Sequence, residues 1–268
     1  LEVIHDYIRG NIRYIADGRP GHAIIPYPPT LVLERKYGDC KDRASLAVAM
    51  AQEEGVPLYM ALVSSDAYLH SEGAHVNLYN HVICAADIDG ETVFFDPTAK
   101  YHPFGALPYQ EIGQTVLILD SLNPRNEIIG LPWKEPPIRL EITASLDSIA
   151  HGRAEIILTN DAFAYARYAD NELTGIKFEN YMDEMITENF YKITLDSFVI
   201  VDTRKYALTL SARADLTHFV SFSDNYRYVP RTPFVIIYND ILERRDDTLP
   251  LHFEKPQWLE LSVKLRSG

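Results

Sequence analysis

The sequence predicts an α+β chain: a mixed helix-and-sheet core, then an antiparallel β-sandwich carrying one inserted helix. Three observations lead there. Apolar residues recur at helical spacing in the first part of the chain, an Asp-Gly hairpin signal sits at Asp89-Gly90, and short alternating segments repeat from Ile138 onward. With 268 residues the chain is long enough for two domains that each close their own core. The Pro-rich passage "SLNPRNEIIGLPWKEPPIRLEI" divides them, which places a core at residues 1–125, a connector at 126–137 and a β-sandwich at 138–268.

The opening segment reads as a helix because Val3, Ile4, Tyr7, Ile8, Ile12 and Ile15 fall three and four apart. "DGRPGHAIIPYPPT" then breaks it, since Pro cannot sit in a helix interior and pushes its predecessor out of helical geometry. A second helix starts at Cys40, with Ala44, Ala47, Val48 and Ala51 along one face and Gly55 as its stop. "VPLYMALVSS" alternates Val56, Leu58, Met60 and Leu62, as a half-buried strand does. "DAYLHSEGAHVNLYN" is a polar loop; His70, Glu72 and His75 match no zinc spacing and read as solvated. "HVICAADI" and "ETVFFDPT" flank Asp89-Gly90, which tolerates the positive φ of a type I′ turn, and Pro97 ends the second strand. Trp133 is expected to dock the connector onto a neighbour. Beyond it, "IRLEITASL", "RAEIILT", "ITLDSFVIVD", "KYALTLSA", "FVIIY" and "WLELSVKL" read as strands of the sandwich. "GIKFENYMDEMITENFYK" puts Phe178, Met182, Met185 and Ile186 at helical spacing, which describes a helix packed on a sheet.

Composition narrows the function. A net charge of −13 opposes binding to nucleic-acid backbones or anionic lipid, and no Lys/Arg cluster offers a local exception. No apolar run approaches the roughly 20 residues that span a membrane, and "LEVIHDYIRGNIRY" lacks the regions of a signal peptide, so the chain as given is expected to be soluble. Its start at Leu1 rather than Met leads us to expect that upstream sequence has been removed. Cys40 and Cys84 alone exclude a multi-disulfide scaffold and a paired CxxC metal site, although a single bridge between them is compatible with the sequence. There is no Asp-rich loop to bind calcium, and no metal or organic cofactor is expected.

The chemistry rests on hairpin register. With Asp89 and Gly90 as the loop, Ile88 faces Glu91, Ile83 faces Asp96 and His81 faces Thr98, so His81 and Asp96 are diagonal neighbours on one face. Such pairs lie roughly 7 to 8 Å apart at Cα, within reach of an imidazole-to-carboxylate hydrogen bond. A slip of one residue would put them on opposite faces. Cys40 supplies a third member: at a helix mouth the unpaired N–H groups and aligned peptide dipoles favour an anion, and an adjacent imidazolium favours it further. Cys40 as nucleophile, His81 as its acid–base partner and Asp96 as the orienting group make the arrangement of covalent acyl transfer. Cys84, in mid-strand between Ile83 and Ala85, reads as core. Lys41 and Asp42 read as first-turn residues that orient the helix.

"YGDCKDRASL" and "YNHVICAADIDGETVFFDPT" resemble the transglutaminase-like superfamily core, and within it the bacterial multidomain proteins with a Gly-Asp-Cys-Lys-Asp motif. "IRYIADGRPGHAIIPYPPTLVLERKYGDCKDRA" resembles the same group. The resemblance runs from about Leu1 to Asp120 and implies a papain-like core with Cys40, His81 and Asp96 as its triad. Members of that superfamily include transglutaminases, thiol peptidases, deglycosylating amidases and proteins without an established activity. Resemblance to exported bacterial proteins implies the periplasm or cell envelope. Relatives commonly complete the oxyanion hole with a Trp or Gln upstream of the cysteine, and residues 1–39 here contain neither. The Cys40 backbone N–H offers one donor, and Asn11, Tyr14, His22 and Tyr37 are candidates for the other. Tyr27, Tyr37, Tyr79 and Asn80 are candidates for lining a substrate groove.

These expectations describe a thiol-dependent enzyme that acts on peptide or glutamine-like amides through an acyl-thioester. Hydrolysis is favoured over transamidation, because no amine-binding subsite is evident and water needs none. The expected partner is a peptide or protein substrate. The competing expectation, which the missing Trp or Gln favours, is a catalytically silent peptide-binding or scaffold module on the same fold. The second half shows no catalytic constellation and is expected to shape the cleft, bind a partner or hold the core in a larger assembly.

Overall fold

The computed structural model describes residues 1–65, 78–130, 138–145, 151–173, 176–190, 192–204, 207–219, 221–223, 226–228 and 259–266. The chain divides into two compact units, Leu1–Lys134 and Glu135–Gly268, and both combine helices with antiparallel sheet, the α+β class that the sequence predicts.

In the first unit, helix α1 (Glu2–Asn11) leads into strand β1 (Arg13–Tyr14), and helix α2 (Pro29–Arg35) into strand β2 (Tyr37–Gly38). β1 and β2 form a two-stranded parallel ribbon in which Tyr14 lies opposite Gly38. That ribbon explains why α1 stops at Asn11 although the apolar spacing continues to Ile15. The Arg13 N–H donates to the Lys36 carbonyl (2.8 Å) and the Ile15 N–H to the Gly38 carbonyl (3.0 Å), which takes both residues out of the helix. α2 closes the Pro-rich stretch that reads as loop. Pro29 takes its first position, where a missing N–H costs nothing because no acceptor exists one turn earlier.

Helix α3 (Cys40–Glu53) buries Ala44, Ala47 and Ala51, whose small side chains let it lie close on α1 and on the sheet. It ends as the sequence predicts. Gly55 takes the left-handed conformation (φ 69°), its N–H donates to Gln52 and the Val56 N–H reaches back to Ala51 (2.9 Å). The sheet contains β3 (Tyr59–Val63), β4 (His81–Ile88), β5 (Glu91–Phe95), β6 (Thr115–Ile118) and β7 (Arg125–Ile128), all antiparallel, in the order β5-β4-β3-β6-β7. β4 is interior and buried on both faces. Val82, Cys84 and Ala86 join Ile8, Ala44 and Phe95 on one side, and Ile83 and Ala85 join Val63, Leu107 and Ile118 on the other. This is why "HVICAA" is a nearly continuous apolar run instead of an alternating one. β4 and β5 pair from Ile88 with Glu91 to Cys84 with Phe95, around an Asp89-Gly90 turn with both φ values positive (51° and 85°). Cys40 and Cys84 are both free thiols, so the bridge the sequence left open is not formed.

The connector reading needs correction at its start. Arg125–Ile128 pairs with β6, and Ile129 is buried in the core, so the first unit's sheet runs into that stretch. The rest of the connector, with Trp133, lies outside the described residues, as do His70, Glu72 and His75.

The second unit contains β8 (Ile138–Ser145), β9 (His151–Thr159), helix α4 (Asn160–Glu172), helix α5 (Ile176–Asn189), β10 (Thr194–Arg204), β11 (Ala207–Asp215), a small hairpin of β12 (Ser221–Ser223) and β13 (Tyr226–Tyr228), and β14 (Leu259–Arg266). One sheet runs β10-β11-β9-β8-β14, antiparallel except where β14 lies parallel to β8. The sandwich expectation is not met among the described residues. The layer packed on this sheet is helical: Phe163 and Ala166 of α4 and Met182 and Ile186 of α5 share a core with Leu140, Ile156, Leu158 and Leu210. The predicted inserted helix is α5; α4 is an additional one, and the predicted strand "FVIIY" lies outside the described residues. No described helix is long and apolar enough to cross a membrane.

His5 of α1 is buried in the first core, edge-on to Phe95 (5.4 Å) and Phe104 (6.1 Å), and its Nε2–H donates to the Asp96 carbonyl at 3.3 Å. Burial, together with the nearby Arg9, lowers its pKa to about 4. The unfolded chain therefore binds a proton at His5 below pH 6.5 that the folded chain refuses until about pH 4. Stability from this residue is complete above pH 6.5, falls as pH drops below it, and levels off below about 4. Urea unfolding should show a loss of about 3 kcal/mol across that window that is absent from His5→Gln.

Candidate active site

Cys40 is the first residue of α3, half-buried, with Asp39 as the N-cap. The cap is reciprocal: the Asp42 N–H donates to Asp39 Oδ1 (3.2 Å), and the Asp39 N–H donates to Asp42 Oδ2 (3.2 Å). Lys41 pairs with Asp39 Oδ2. Asp42 is fully buried and also accepts the Tyr27 N–H (2.8 Å) and Arg35 Nη2 (3.1 Å). Gly38 is required by this arrangement, since a Cβ there would lie 2.6 Å from the Asp42 Cβ. The "GDCKD" run is therefore one packed unit in which Gly38, Asp39 and Asp42 together fix where α3, and hence Cys40, begins.

His81 opens β4 and Asp96 follows the end of β5, on the register that the hairpin predicts. His81 Nε2 donates to Asp96 Oδ2 at 3.1 Å. Asp96 is held in turn by the Thr98 N–H on Oδ1 (2.7 Å) and the Thr98 hydroxyl on Oδ2 (2.8 Å), the local turn that an Asp-Pro-Thr run encodes. Burial alone would push the His81 pKa down. The charge and hydrogen bond of Asp96, a hydrogen bond between the ring and Cys40, and the charge of Glu111 overcome that and hold it well above its usual value. For Asp96 burial pushes upward, and His81 and Thr98 win in the other direction, so the carboxylate stays ionised. With Nε2 engaged by Asp96, Nδ1 is the other ring nitrogen. Cys84 lies fully buried behind the site, its thiol pKa pushed up by burial, which fits a core side chain.

The remaining sequence candidates separate. Tyr14 is 46% exposed, and its phenol is raised by burial and by the negative charges of Cys40, Asp39 and Asp96, so it belongs to the sulfur's surroundings. The Asn11 side chain is occupied at the end of α1, donating to the Tyr7 carbonyl (2.9 Å). His22, Tyr27 and Tyr37 gather around Arg35 instead: His22 stacks on Tyr27 (3.6 Å), and the Arg35 guanidinium lies over Tyr27 (4.0 Å) and Tyr37 (4.4 Å). Tyr79 is half-buried, and its hydroxyl has no hydrogen-bond partner among the described residues. Asn80 Oδ1 accepts the Ser65 N–H (2.9 Å) and so ties together the two ends of residues 65–80.

The structure adds residues that the sequence did not single out. Glu111, on the short 3-10 turn Tyr109–Glu111, is 2% exposed, with Oε1 3.7 Å from His81 Nε2. Arg43 is buried and donates to the Ile8 carbonyl (3.2 Å). Burial lowers its pKa to about 10 against the attraction of Asp96. A lone Glu in a loop and an Arg within a helix carry no sequence signal. Thr98 did, through the turn chemistry after Asp96. Among the described residues, two trios are spaced closely enough to hold a metal ion, His22–Asp39–Asp42 and His81–Asp96–Glu111. In the first, Lys41 and Arg35 already sit on the carboxylates where a cation would. In the second, Nε2 and Oδ2 are committed to each other and to Thr98.

A family model described as the transglutaminase-like superfamily matches residues 1–83, which include Cys40 and His81. No curated protein matches the chain. Among solved structures, it is similar to a "putative cysteine protease" from Cytophaga hutchinsonii, with 21% identity and a TM-score of 0.27 over 36% of this chain and 29% of that one. It is also similar to a "putative protease" from Parabacteroides distasonis, with 13% identity and a TM-score of 0.41 over 90% of this chain and 48% of that one. The chain thus spans less than half the length of either.

The packing around Gly38 is testable by a pair of substitutions. Gly38→Ala should cost about 1–3 kcal/mol in urea unfolding, because the Asp42 Cβ has no room to yield. Gly10→Ala, in α1 with nothing within 4 Å, should instead gain up to about 1 kcal/mol. Equal responses from the two sites would contradict the packing argument.

Proposed function

We infer that the chain is a thiol-dependent hydrolase of peptide or glutamine-like amides, with Cys40 as nucleophile, His81 as acid–base partner and Asp96 as the group that orients it. The observation that carries this reading is the half-buried imidazole hydrogen-bonded to Asp96, with Cys40, at the start of α3, among the groups that favour its charged form. The Cys40 thiolate attacks the amide carbonyl carbon and forms a C–S bond, while the carbonyl oxygen takes the negative charge. The His81 imidazolium gives its proton to the amide nitrogen, the C–N bond breaks, and an acyl-thioester remains. Water then attacks that carbon, His81 takes the water proton, and the C–S bond breaks to release the acid and restore the thiolate. An amine in place of water would give transamidation. Water is the simpler acceptor because it needs no subsite.

The oxyanion needs donors. The Cys40 N–H is one, as the first N–H of α3, and Tyr14 is our choice for the second. Its hydroxyl shares the sulfur's surroundings, whereas Asn11 is tied to its own helix and His22 and Tyr37 are stacked around Arg35. A tyrosine here replaces the Trp or Gln of relatives and supports an enzyme over a silent binding module.

Two measurements test this reading. At pH 6, iodoacetamide should alkylate Cys40 at least tenfold faster than glutathione, and His81→Ala should abolish the difference. A panel of peptides and glutamine–amine pairs, with Cys40→Ala as the blank, should give turnover that Tyr14→Phe lowers about 100-fold in kcat with little change in KM. Ordinary thiol reactivity in the native protein, or turnover that survives in Cys40→Ala, would leave the silent binding module as the better reading.

A further inference from the structure

Two buried carboxylates converge on the same nitrogen of His81. Asp96 Oδ2 is 3.1 Å from Nε2, a hydrogen bond, and Glu111 Oε1 is 3.7 Å from it, too far for a good hydrogen bond but close enough for strong charge attraction where water is excluded. Both acids are almost fully buried, at 3% and 2% exposure. They arrive from different places: Asp96 ends β5 beside the hairpin, and Glu111 sits on a separate turn set by the hydrogen bond of its own N–H to the Pro108 carbonyl (3.0 Å).

Among the described residues, the other ionisable groups tied to this pair are Cys40 from α3, which acts on His81, and three whose charges interact with Asp96. Those three are Arg43 from α3, Tyr14 from β1 and His5 from α1. Asp96 alone satisfies the geometric need of the ring, since one N–H donates to one oxygen. Glu111 adds charge without adding a bond, and its target is the positive form of the ring.

We propose that Glu111 is a positioning residue that acts with Asp96 to keep His81 charged, and so extends toward alkaline pH the range over which the Cys40–His81 pair holds its proton on the imidazole. Its catalytic meaning rests on the function proposed above, but its effect on His81 does not. The sign follows from charge. Removing a negative group beside a cation weakens proton binding, so the high-pH limb of kcat/KM moves down while the limb set by thiolate formation does not move up.

The test is direct observation of His81. Protein labelled with ¹³C-histidine, in a Cys40→Ser background so that the thiol does not co-titrate, gives a His81 Cε1–H resonance identified by its loss in His81→Ala. Glu111→Gln should lower the titration midpoint by about one pH unit, a tenfold weaker proton affinity. Asp96→Asn should lower it further, and Glu111→Asp, which retracts the charge by one methylene, should fall between native and Glu111→Gln. If Glu111→Gln does not fold, Glu111→Asp alone decides by the same shift. A midpoint within 0.2 of native in a folded variant overturns the proposal, since a merely structural Glu111 would lower stability and leave the midpoint in place. Slow alkylation of native Cys40 with a lowered midpoint in Glu111→Gln would remove the enzyme reading and keep this one. Fast alkylation with an unmoved midpoint would do the reverse.

Discussion

The buried carboxylate of Asp42 is the constraint from which the first unit is organised. It takes a backbone N–H from Tyr27, a guanidinium N–H from Arg35 and the N–H of Asp39, and so joins three stretches that have no other reason to meet: the Pro-rich passage, α2 and the turn before α3. A carboxyl group at zero exposure is tolerable only when its lone pairs are filled, and here one of the donors is charged. Arg35 is in turn held flat over Tyr27 and Tyr37, so its position is set before it reaches Asp42. The outcome is a helix whose first residue cannot slide, and that residue is Cys40.

The opposite side of the site is built by a different device. A two-residue turn sets the register of β4 on β5, and the register brings His81 beside Asp96. Asp96 is then fixed from every side: Thr98 holds both carboxylate oxygens, and His5 reaches its carbonyl from α1. The carboxylate that meets the imidazole is therefore set in place by its own turn and by α1. His5 ties this half to α1, and Arg43, in the second turn of α3, ties it to the helix that carries Cys40.

Where local chemistry decides structure, the sequence was informative. Asp89-Gly90 specified its turn and Gly55 its helix stop, because each depends on neighbours a few residues away. The reading was weaker where distant residues compete. α1 was read too long, since its apolar spacing persists but the ribbon with β2 captures Arg13 and Ile15. α2 was hidden by prolines that cap it instead of breaking it. In the second unit, the strands of β8 to β11 were legible from alternation, yet the layer covering them was read as sheet when α4 and α5 supply it, because alternation shows that a strand has a buried face and not what lies on it. Glu111 was invisible for the same reason: its partner, His81, is brought near only by the fold.

The β1–β2 ribbon keeps two chemistries apart. Successive residues of a strand face opposite ways, so Tyr14 looks toward Cys40 while Arg13 and Ile15 look away. On that far face lies a cleft of about 580 Å³ lined by Arg13, Ile15, Asp17, Arg19, Arg35 and Asp42 among others. Three arginines in a chain of net charge −13 look like an anion site, but the charges are largely matched where they stand, Arg19 by Asp17 and Arg35 by Asp42. Arg19 and Arg35 are thus held by carboxylates of the Pro-rich stretch and of α3. Behind the imidazole, Asp96 and Glu111 both favour its charged form. Acids from two separate elements, Asp96 after β5 and Glu111 on its own turn, thus converge on one imidazole, and this convergence is what decides the charge of the ring.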